Sequence, residues 1–249
     1  MDVCETKDGV LVVHHDHELE RTCGTKTFIR DLELKELPKF KDEINLNFAP
    51  EGMTVKSNGE KIPTLEEVFK RFETIPMNIE LKTPSKAAIK KIVELVNTYK
   101  RKHNTVVGIR GADQDFLKNI DYKVMTFMND SEFFFYFIGM FFGLTPFLYI
   151  DAYTMQVPLW TEEAERWKRK EWGNTWKVNL FFKLLKSVGN PLMGLLGYHL
   201  RRRGIMTIFW VANCEDDFKR AIKYGASGIM TDNPEKLKDY LDSIKVEVP

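Results

Sequence analysis

The sequence predicts an α/β protein of the (β/α)-barrel class that folds as one domain. Short apolar segments of strand length alternate with amphipathic helical segments, which is the pattern of a parallel sheet covered by helices. The chain has 249 residues and a hydrophobic content of 43%. A chain of this size can bury the core of a single barrel. We therefore expect residues 1–249 to form one domain, with no low-complexity linker dividing it.

The first predicted element is a β-hairpin. Asp8-Gly9 is a two-residue turn signal between two β-prone segments, so residues 3–6 should pair antiparallel with residues 10–14. Side chains alternate between the two faces of a strand, so His14 and His15 should point in opposite directions.

Helices and strands then alternate along the chain. A capping box of Thr64 and Glu67 predicts a helix over residues 65–72, and Asn190-Pro191 starts a later helix. That helix closes at three arginines and a glycine, residues 201–204, and we expect the arginines to cap it rather than bind a ligand. The other predicted strands lie at residues 77–81, 105–109, 123–128, 205–211 and 228–230, and the other helices at residues 85–102, 215–224, after Asp113 and from Asn233-Pro234 onward.

The charge balance excludes one class of partner. Lys plus Arg number 37 and Asp plus Glu number 36, which gives a formal net charge of +1. The chain as a whole therefore offers no electrostatic footprint for nucleic acid. Cys4, Cys23 and Cys214 lack metal-ligand spacing, and their odd number favours reduced thiols on the cytosolic side. No secretory signal peptide is predicted.

An uncharged, phenylalanine-rich run occupies residues 133–150. As a helix it would be about 27 Å long, slightly short of a hydrocarbon core of about 30 Å, and Pro146 would interrupt its last turn. Three interpretations are open: an interfacial or re-entrant helix, which we favour, a membrane span, and a buried core helix. The run is thus a predicted membrane-associating insert.

Short motifs in a fixed order run through nearly the whole chain. They are Asp2-Val3, Thr6-Lys7-Asp8-Gly9, Val12-Val13, His15-Asp16, Arg21-Thr22-x-Gly24, Ile62-Pro63-Thr64-Leu65-Glu66-Glu67-Val68, Asn78-Ile79-Glu80-Leu81-Lys82, Trp210-Val211-x-Asn213 and Gly228-Ile229-Met230-Thr231-Asp232-x-Pro234. Together they resemble the glycerophosphodiester phosphodiesterase family, and the apolar insert is similar to its membrane-associated, lysophospholipase D-like branch. The resemblance implies a (β/α) TIM-type barrel and a phosphoric diester hydrolase.

The resemblance also implies the roles of five residues. His15 matches a catalytic acid/base, and Asp2 and Glu80 match ligands of a divalent metal, Mg²⁺ or Ca²⁺. Lys82 matches a contact to the substrate phosphate, and Trp210 matches an apolar wall of the substrate pocket. On the residues alone, other interpretations are open: Glu80 and Lys82 could form a surface ion pair, Lys82 could be fully solvated, and Trp210 could equally be a core residue.

Some family features have no counterpart in the sequence. Members begin with a His-Arg-Gly motif on their first strand and end the next strand with Glu-x-Asp, whose glutamate would precede Met1 here. One of three metal carboxylates and one of two catalytic histidines are therefore unmatched, and His14 and His17 are not expected to replace that histidine. We expect a barrel lacking its first strand and helix, with unpaired strand edges at Met1 and at residues 228–230.

Two functions follow from the resemblance. The first is metal-dependent hydrolysis of lysophospholipids or glycerophosphodiesters, impaired in this chain by the absent motifs. The second is a non-catalytic, membrane-binding remnant or isoform of such an enzyme. In both cases we expect association with an intracellular membrane, a barrel that faces the cytoplasm, and no nucleic-acid partner.

Overall fold

The computed structural model describes residues 1–46, 53–82, 84–109 and 113–244. The chain divides into two compact units. The first contains Met1–Asn45, Thr54–Phe135 and Asp151–Tyr153, and the second contains Leu46–Met53, Tyr136–Ile150 and Thr154–Pro249.

The first unit is built on a five-stranded sheet. The strands of the whole unit are β1 (Asp2–Glu5), β2 (Leu11–Val13), β3 (Glu43–Asn45), β4 (Thr54–Lys56), β5 (Met77–Leu81), β6 (Thr105–Ile109) and β7 (Met125–Thr126). Its helices are α1 (Glu20–Cys23), α2 (Leu65–Arg71), α3 (Lys86–Thr98) and α4 (Asp113–Ile120). The order in the main sheet is β2-β1-β5-β6-β7, and β3 pairs with β4 in a separate hairpin. β1, β5, β6 and β7 run parallel, as the predicted alternation requires.

The hairpin of β1 and β2 corrects one prediction. β1 pairs antiparallel with β2 and parallel with β5, so it has a partner on both sides and its edge is not exposed. The edge predicted at Met1 is therefore wrong: the tight turn at Gly9, with φ of 78°, folds β2 back onto β1, and this antiparallel partner covers the edge.

The core of the first unit lies between the parallel strands and α3. Ile79 of β5 and Val107 of β6 pack with Ile89 and Ile92 on the buried face of α3, and all four are fully buried. Burial of each such side chain contributes roughly 1.5–3 kcal/mol. α3 begins after Ser85, whose side chain accepts a hydrogen bond from the Ala88 backbone. This packing fixes β5, and with it the polar residues on its other face.

The second unit contains a three-stranded parallel sheet in the order β10-β9-β8. Its strands are β8 (Thr154–Pro158), β9 (Met206–Trp210) and β10 (Gly228–Ile229). α5 (Asp130–Phe141) leads from the first unit into the second, and the helices that follow are α6 (Glu162–Trp172), α7 (Trp176–Leu184), α8 (Asn190–Arg201), α9 (Glu215–Lys223) and α10 (Pro234–Ser243). β10 pairs with β9 alone within the described part of the chain, so the edge expected there is present.

α8 begins at Asn190-Pro191, as predicted, but Asn190 is not a helix-capping residue, because a π-helical turn, Leu185–Gly189, joins α8 directly to α7. The buried Asn190 side chain instead accepts from the Trp160 backbone N–H at 3.0 Å and donates to the Trp160 carbonyl at 2.8 Å. The capping prediction for the arginines holds only in part: Arg202 is the C-cap residue of α8, whereas the side chains of Arg201 and Arg203 donate to the carbonyls of Gly225 and Thr145, outside the helix.

The apolar run 133–150 forms two elements rather than one. α5 ends at Phe141, and after a turn at Gly143 a short 3-10 helix, Thr145–Phe147, follows. The phenol of the buried Tyr136 donates to the Tyr149 carbonyl and ties the run together. Within the described residues, no helix has both the length and the apolar character needed to cross a membrane.

Arg101 is a buried structural residue of the first unit, and its removal should destabilise the fold. Its side chain is 1% exposed, and it donates to the carbonyls of Phe72, Glu73 and Ile75. Arg101→Met leaves these carbonyls without their donor, so we expect the free energy of unfolding to fall by about 2–4 kcal/mol in chemical denaturation. The matched Lys91→Met, on the exposed face of α3, should change it by less than about 0.5 kcal/mol. Equal losses in the two variants would contradict this role.

Candidate active site

Two carboxylates from neighbouring parallel strands converge on one ammonium group. β1 and β5 pair in a register that places Asp2 directly opposite Glu80. The Lys82 Nζ lies 3.0 Å from Asp2 Oδ1 and 2.9 Å from Glu80 Oε2. The Lys82 side chain is 15% exposed, so the cluster is sheltered but reachable from solvent.

The alternation of side chains along β5 explains this arrangement. Met77, Ile79 and Leu81 are buried against the core, which turns Asn78 and Glu80 to the other face. Glu80 lies one residue from the carboxyl end of β5, where the groups of parallel-sheet active sites collect. The sequence predicted the position of Glu80, but not that Lys82 would reach back to both carboxylates.

His15 belongs to a second polar group, which follows β2. Its Nδ1 lies 2.6 Å from Asp16 Oδ1, and Arg21 Nε donates to Asp16 Oδ2 at 2.6 Å. Burial alone raises the pKa of Asp16, but the hydrogen bonds from His15 and Arg21 outweigh it and hold this pKa well below its ordinary range. Asp16 is therefore a carboxylate at neutral pH.

His14 has a different environment from its neighbour. Its ring is buried, with Nδ1 2.7 Å from the Asp16 carbonyl and Nε2 2.7 Å from the Thr22 hydroxyl, and it stacks on Phe40 at a centroid distance of 6.0 Å. Burial lowers the pKa of His14, so folding favours the neutral form of the ring. Both ring nitrogens are engaged in structural contacts, which suits a core residue rather than a proton donor to substrate.

The β1–β2 hairpin brings both polar groups to one end of the ribbon. The His14 backbone N–H donates to the Asp2 carbonyl at 3.0 Å, so the segment that carries His15 starts beside the segment that carries Asp2. The turn of the hairpin therefore brings together two segments that are separated in the sequence.

A cavity of about 340 Å³ borders the cluster through Lys82. Its other lining residues are Cys4, His17, Phe28, Ile29 and Arg30. Burial raises the pKa of the Cys4 thiol to about 12, and its Sγ donates to the His14 carbonyl at 3.5 Å. Phe28 and Arg30 carried no sequence signal, because their place in the wall depends on the path of an irregular loop between β2 and β3.

The donor set at Asp2 and Glu80 suits a hard divalent cation. Carboxylate oxygens are the preferred ligands of Mg²⁺ and Ca²⁺, and Mg²⁺ is often held by one or two carboxylates together with water and substrate phosphate. In the described ranges, no group of three or more His, Cys, Asp or Glu side chains could hold a metal ion. The residues present thus fit a cation that needs further ligands from outside this pair.

Trp210 lies in the second unit, at the last position of β9. It is half-buried and its carbonyl accepts from the Leu159 backbone at 2.7 Å. The strand-end position is as expected, while its role as a pocket wall stays a prediction. The nearby motif residue Asn213 ties the loops after β9 and β10 together, because it accepts from the Asp232 backbone at 2.9 Å and donates to the Asp232 carboxylate at 3.0 Å.

Comparisons with known sequences show the family to which the chain belongs. Residues 1–133 match the profile of the Glycerophosphoryl diester phosphodiesterase family. Lysophospholipase D GDPD1 of Mus musculus is 34% identical over 247 residues, which is 98% of this chain and 76% of the relative. A glycerophosphodiester phosphodiesterase of Caldanaerobacter subterraneus is 27% identical over 95% of this chain and 82% of its own length. The chain belongs to the glycerophosphodiester phosphodiesterase family, and by family it is a phosphoric diester hydrolase.

Solved structures confirm the fold class. A glycerophosphodiester phosphodiesterase from Parabacteroides distasonis superposes with a TM-score of 0.62 at 20% identity, covering 98% of this chain and 83% of that one. A phosphodiesterase from Oleispira antarctica, solved in complex with the product sn-glycerol-3-phosphate, gives 0.58 at 15% identity, covering 97% and 83%. The α/β architecture is therefore that of the TIM-type phosphodiesterase barrels, as the sequence predicted.

The buried His14 should make the stability of the fold depend on pH. Because its pKa is lower when folded than when unfolded, the stabilisation is complete above about pH 6.5 and is lost as the pH falls through the folded pKa. We expect the wild-type chain to lose more free energy of unfolding between pH 7.5 and pH 5 than His14→Gln, measured by urea denaturation. His103→Gln, at an exposed position, should lose as much free energy of unfolding over this pH range as wild type. A pH dependence that is identical in His14→Gln and wild type would refute this assignment.

Proposed function

We propose that this site hydrolyses the phosphodiester bond of lysophospholipids or glycerophosphodiesters with the help of Mg²⁺ or Ca²⁺. The observation that carries the proposal is the convergence of Asp2 and Glu80 on Lys82 beside a cavity of about 340 Å³. The names of the sequence relatives supply the substrate class, since they include lysophospholipase D and glycerophosphodiester phosphodiesterase.

Each side chain has a role that its chemistry suits. Asp2 and Glu80 would hold the cation, which when bound neutralises charge on the phosphodiester. Lys82 borders the cavity and would donate to a phosphate oxygen. His15, half-exposed, would take the proton from the attacking water or give one to the leaving alcohol. Trp210 would contribute an apolar wall for the lipid part.

We also propose that the 249 residues on their own hydrolyse these substrates slowly. His-Arg-Gly does not occur in the sequence, so one acid/base partner of the family mechanism is unmatched. Loss of an acid/base group reduces the rate by about 10² to 10⁴. If turnover falls to background, the alternative function, a non-catalytic membrane-binding form, becomes the better description.

The test of the proposed function compares the 249-residue chain with a version extended upstream by the family's His-Arg-Gly and Glu-x sequence. The extended protein should release choline or ethanolamine from a lysophospholipid only when Mg²⁺ or Ca²⁺ is present, and the 249-residue chain should be at least about 10²-fold slower. In the extended protein, His15→Ala and Glu80→Ala should each abolish product release.

His103→Ala is the matched control for this test, because His103 is exposed and distant in sequence from the site. His14→Ala would be a poor control, because it removes a buried, hydrogen-bonded ring and so disturbs the fold. Equal, metal-dependent turnover by the short and extended proteins would overturn the proposed impairment. Full activity of Glu80→Ala would overturn the metal site.

We also propose that the run 133–150 attaches the protein to an intracellular membrane, with the barrel on the cytoplasmic side. Support comes from its exposed apolar side chains, which lie on α5, on the 3-10 helix and on the residues next to them: Phe134, Phe135, Ile138, Phe141, Phe142, Leu144, Phe147 and Tyr149. Apolar patches of this kind mark membrane or protein contacts. The break after Phe141 favours interfacial insertion over a span.

The membrane proposal predicts the effect of removing four exposed rings. Phe134, Phe141, Phe142 and Phe147 changed together to Ser should reduce liposome flotation by at least about tenfold, because each buried ring contributes roughly 1.5–3 kcal/mol to insertion. Tyr136 is kept, so the tie to Tyr149 remains. Ile75→Ser with Tyr122→Ser, exposed positions in the first unit, should float like wild type. Unchanged flotation of the four-ring variant would count against this attachment.

A further inference from the structure

We propose that Asp16 is a positioning residue: held in place by Arg21, its carboxylate fixes the ring orientation of His15 and keeps the ring proton on Nδ1. The inference rests on the proposed function, in which His15 is the acid/base. It assigns a role to a carboxylate that is neither a metal ligand nor a substrate contact in that function.

The two oxygens of Asp16 have separate partners. Oδ1 lies 2.6 Å from His15 Nδ1, and Oδ2 accepts from Arg21 Nε at 2.6 Å. Arg21 is itself fixed, because its Nη1 donates to the Asn45 carbonyl at 2.7 Å. The carboxylate is therefore anchored from the side opposite the imidazole.

His15 needs such an anchor because packing constrains its ring little. Its side chain is 50% exposed, in contrast to the buried ring of His14. A catalytic ring free to change rotamer spends only part of its time in the reactive orientation, and a fixed partner removes that loss. The hydrogen bond to Asp16 supplies this constraint.

The chemistry of the pair also sets the tautomer. Asp16 is ionised at neutral pH, and an ionised carboxylate can only accept hydrogen bonds. The 2.6 Å contact therefore requires a proton on His15 Nδ1. In the neutral ring this leaves the lone pair on Nε2, which can take a proton from water, and the imidazolium that results is stabilised by the adjacent carboxylate.

A structural role of Asp16 can be separated from this one. The backbone carbonyl of Asp16 accepts from the His14 ring and from the Cys4 thiol, and these contacts do not involve the carboxylate. Asp16→Asn preserves the backbone contacts and the size of the side chain while removing the charge. Thermal melts of wild type and Asp16→Asn should therefore be close, which establishes that the variant is folded.

The first measurement is the tautomer of His15 in the 249-residue chain, read from long-range ¹H–¹⁵N NMR spectra of ¹⁵N-histidine-labelled protein at a pH where the ring is neutral. We expect the proton mainly on Nδ1 in wild type and mainly on Nε2 in Asp16→Asn. Arg21→Met should shift the balance in the same direction. Glu20→Gln, which removes a charge from the same helix as Arg21 and pairs with Lys26, should leave it unchanged. A wild-type proton on Nε2, or a balance that Asp16→Asn does not move, would overturn the proposal.

The second measurement is kinetic and uses the N-terminally extended protein. Asp16→Asn should lower kcat by about 10- to 100-fold with KM within about twofold of wild type, since the residue acts through His15 and does not bind substrate. If His15→Ala abolishes turnover while Asp16→Asn leaves kcat unchanged, the positioning role is wrong although the proposed function stands. If His15→Ala itself leaves turnover unchanged, the proposed function fails at His15, and the positioning role fails with it.

Discussion

The pairing of β1 with β5 is the constraint on which the rest of the first unit depends. Two hydrogen-bonded parallel strands hold their residues in a fixed register, and this register sets Asp2 against Glu80. A shift of β5 by one residue relative to β1 would turn Glu80 into the core and its apolar neighbours Ile79 and Leu81 outward. The chain prevents such a shift by burying Ile79 and Leu81 of β5 against α3. Packing on one face of the strand thereby determines the chemistry on the other.

Local patterns in the sequence were sufficient to predict the elements that carry the site. The Asp8-Gly9 turn, the Thr64–Glu67 capping box and the strand Met77–Leu81 all occur as predicted, because each depends on residues within a few positions of one another. The family motifs then pointed to Asp2, Glu80 and His15 as members of one site. The pairing of Asp2 with Glu80 follows from parallel strands, a property of the fold class.

Contacts between residues far apart in the sequence could not be predicted in the same way. Asn190 starts a helix as predicted, but its neighbours in the sequence do not show that its amide binds the Trp160 backbone thirty positions away. Arg203 looked like a cap, but it binds the Thr145 carbonyl, 58 positions away. Both side chains carry the polar groups that a cap would use, and only the packing of the second unit decides which carbonyl or amide they meet. The buried structural role of Arg101 could not be predicted for the same reason.

The buried thiol of Cys4 has a consequence for how the cavity responds to oxidants. The reactive form of cysteine is the thiolate, and a thiol whose pKa is raised to about 12 is almost entirely protonated at cellular pH. Cys4 should therefore resist oxidation to a sulfenic acid and react slowly with alkylating reagents, although it lines a cavity. The part of the cavity wall that Cys4 forms should therefore stay unmodified under oxidative conditions that would modify an exposed cysteine with a low pKa.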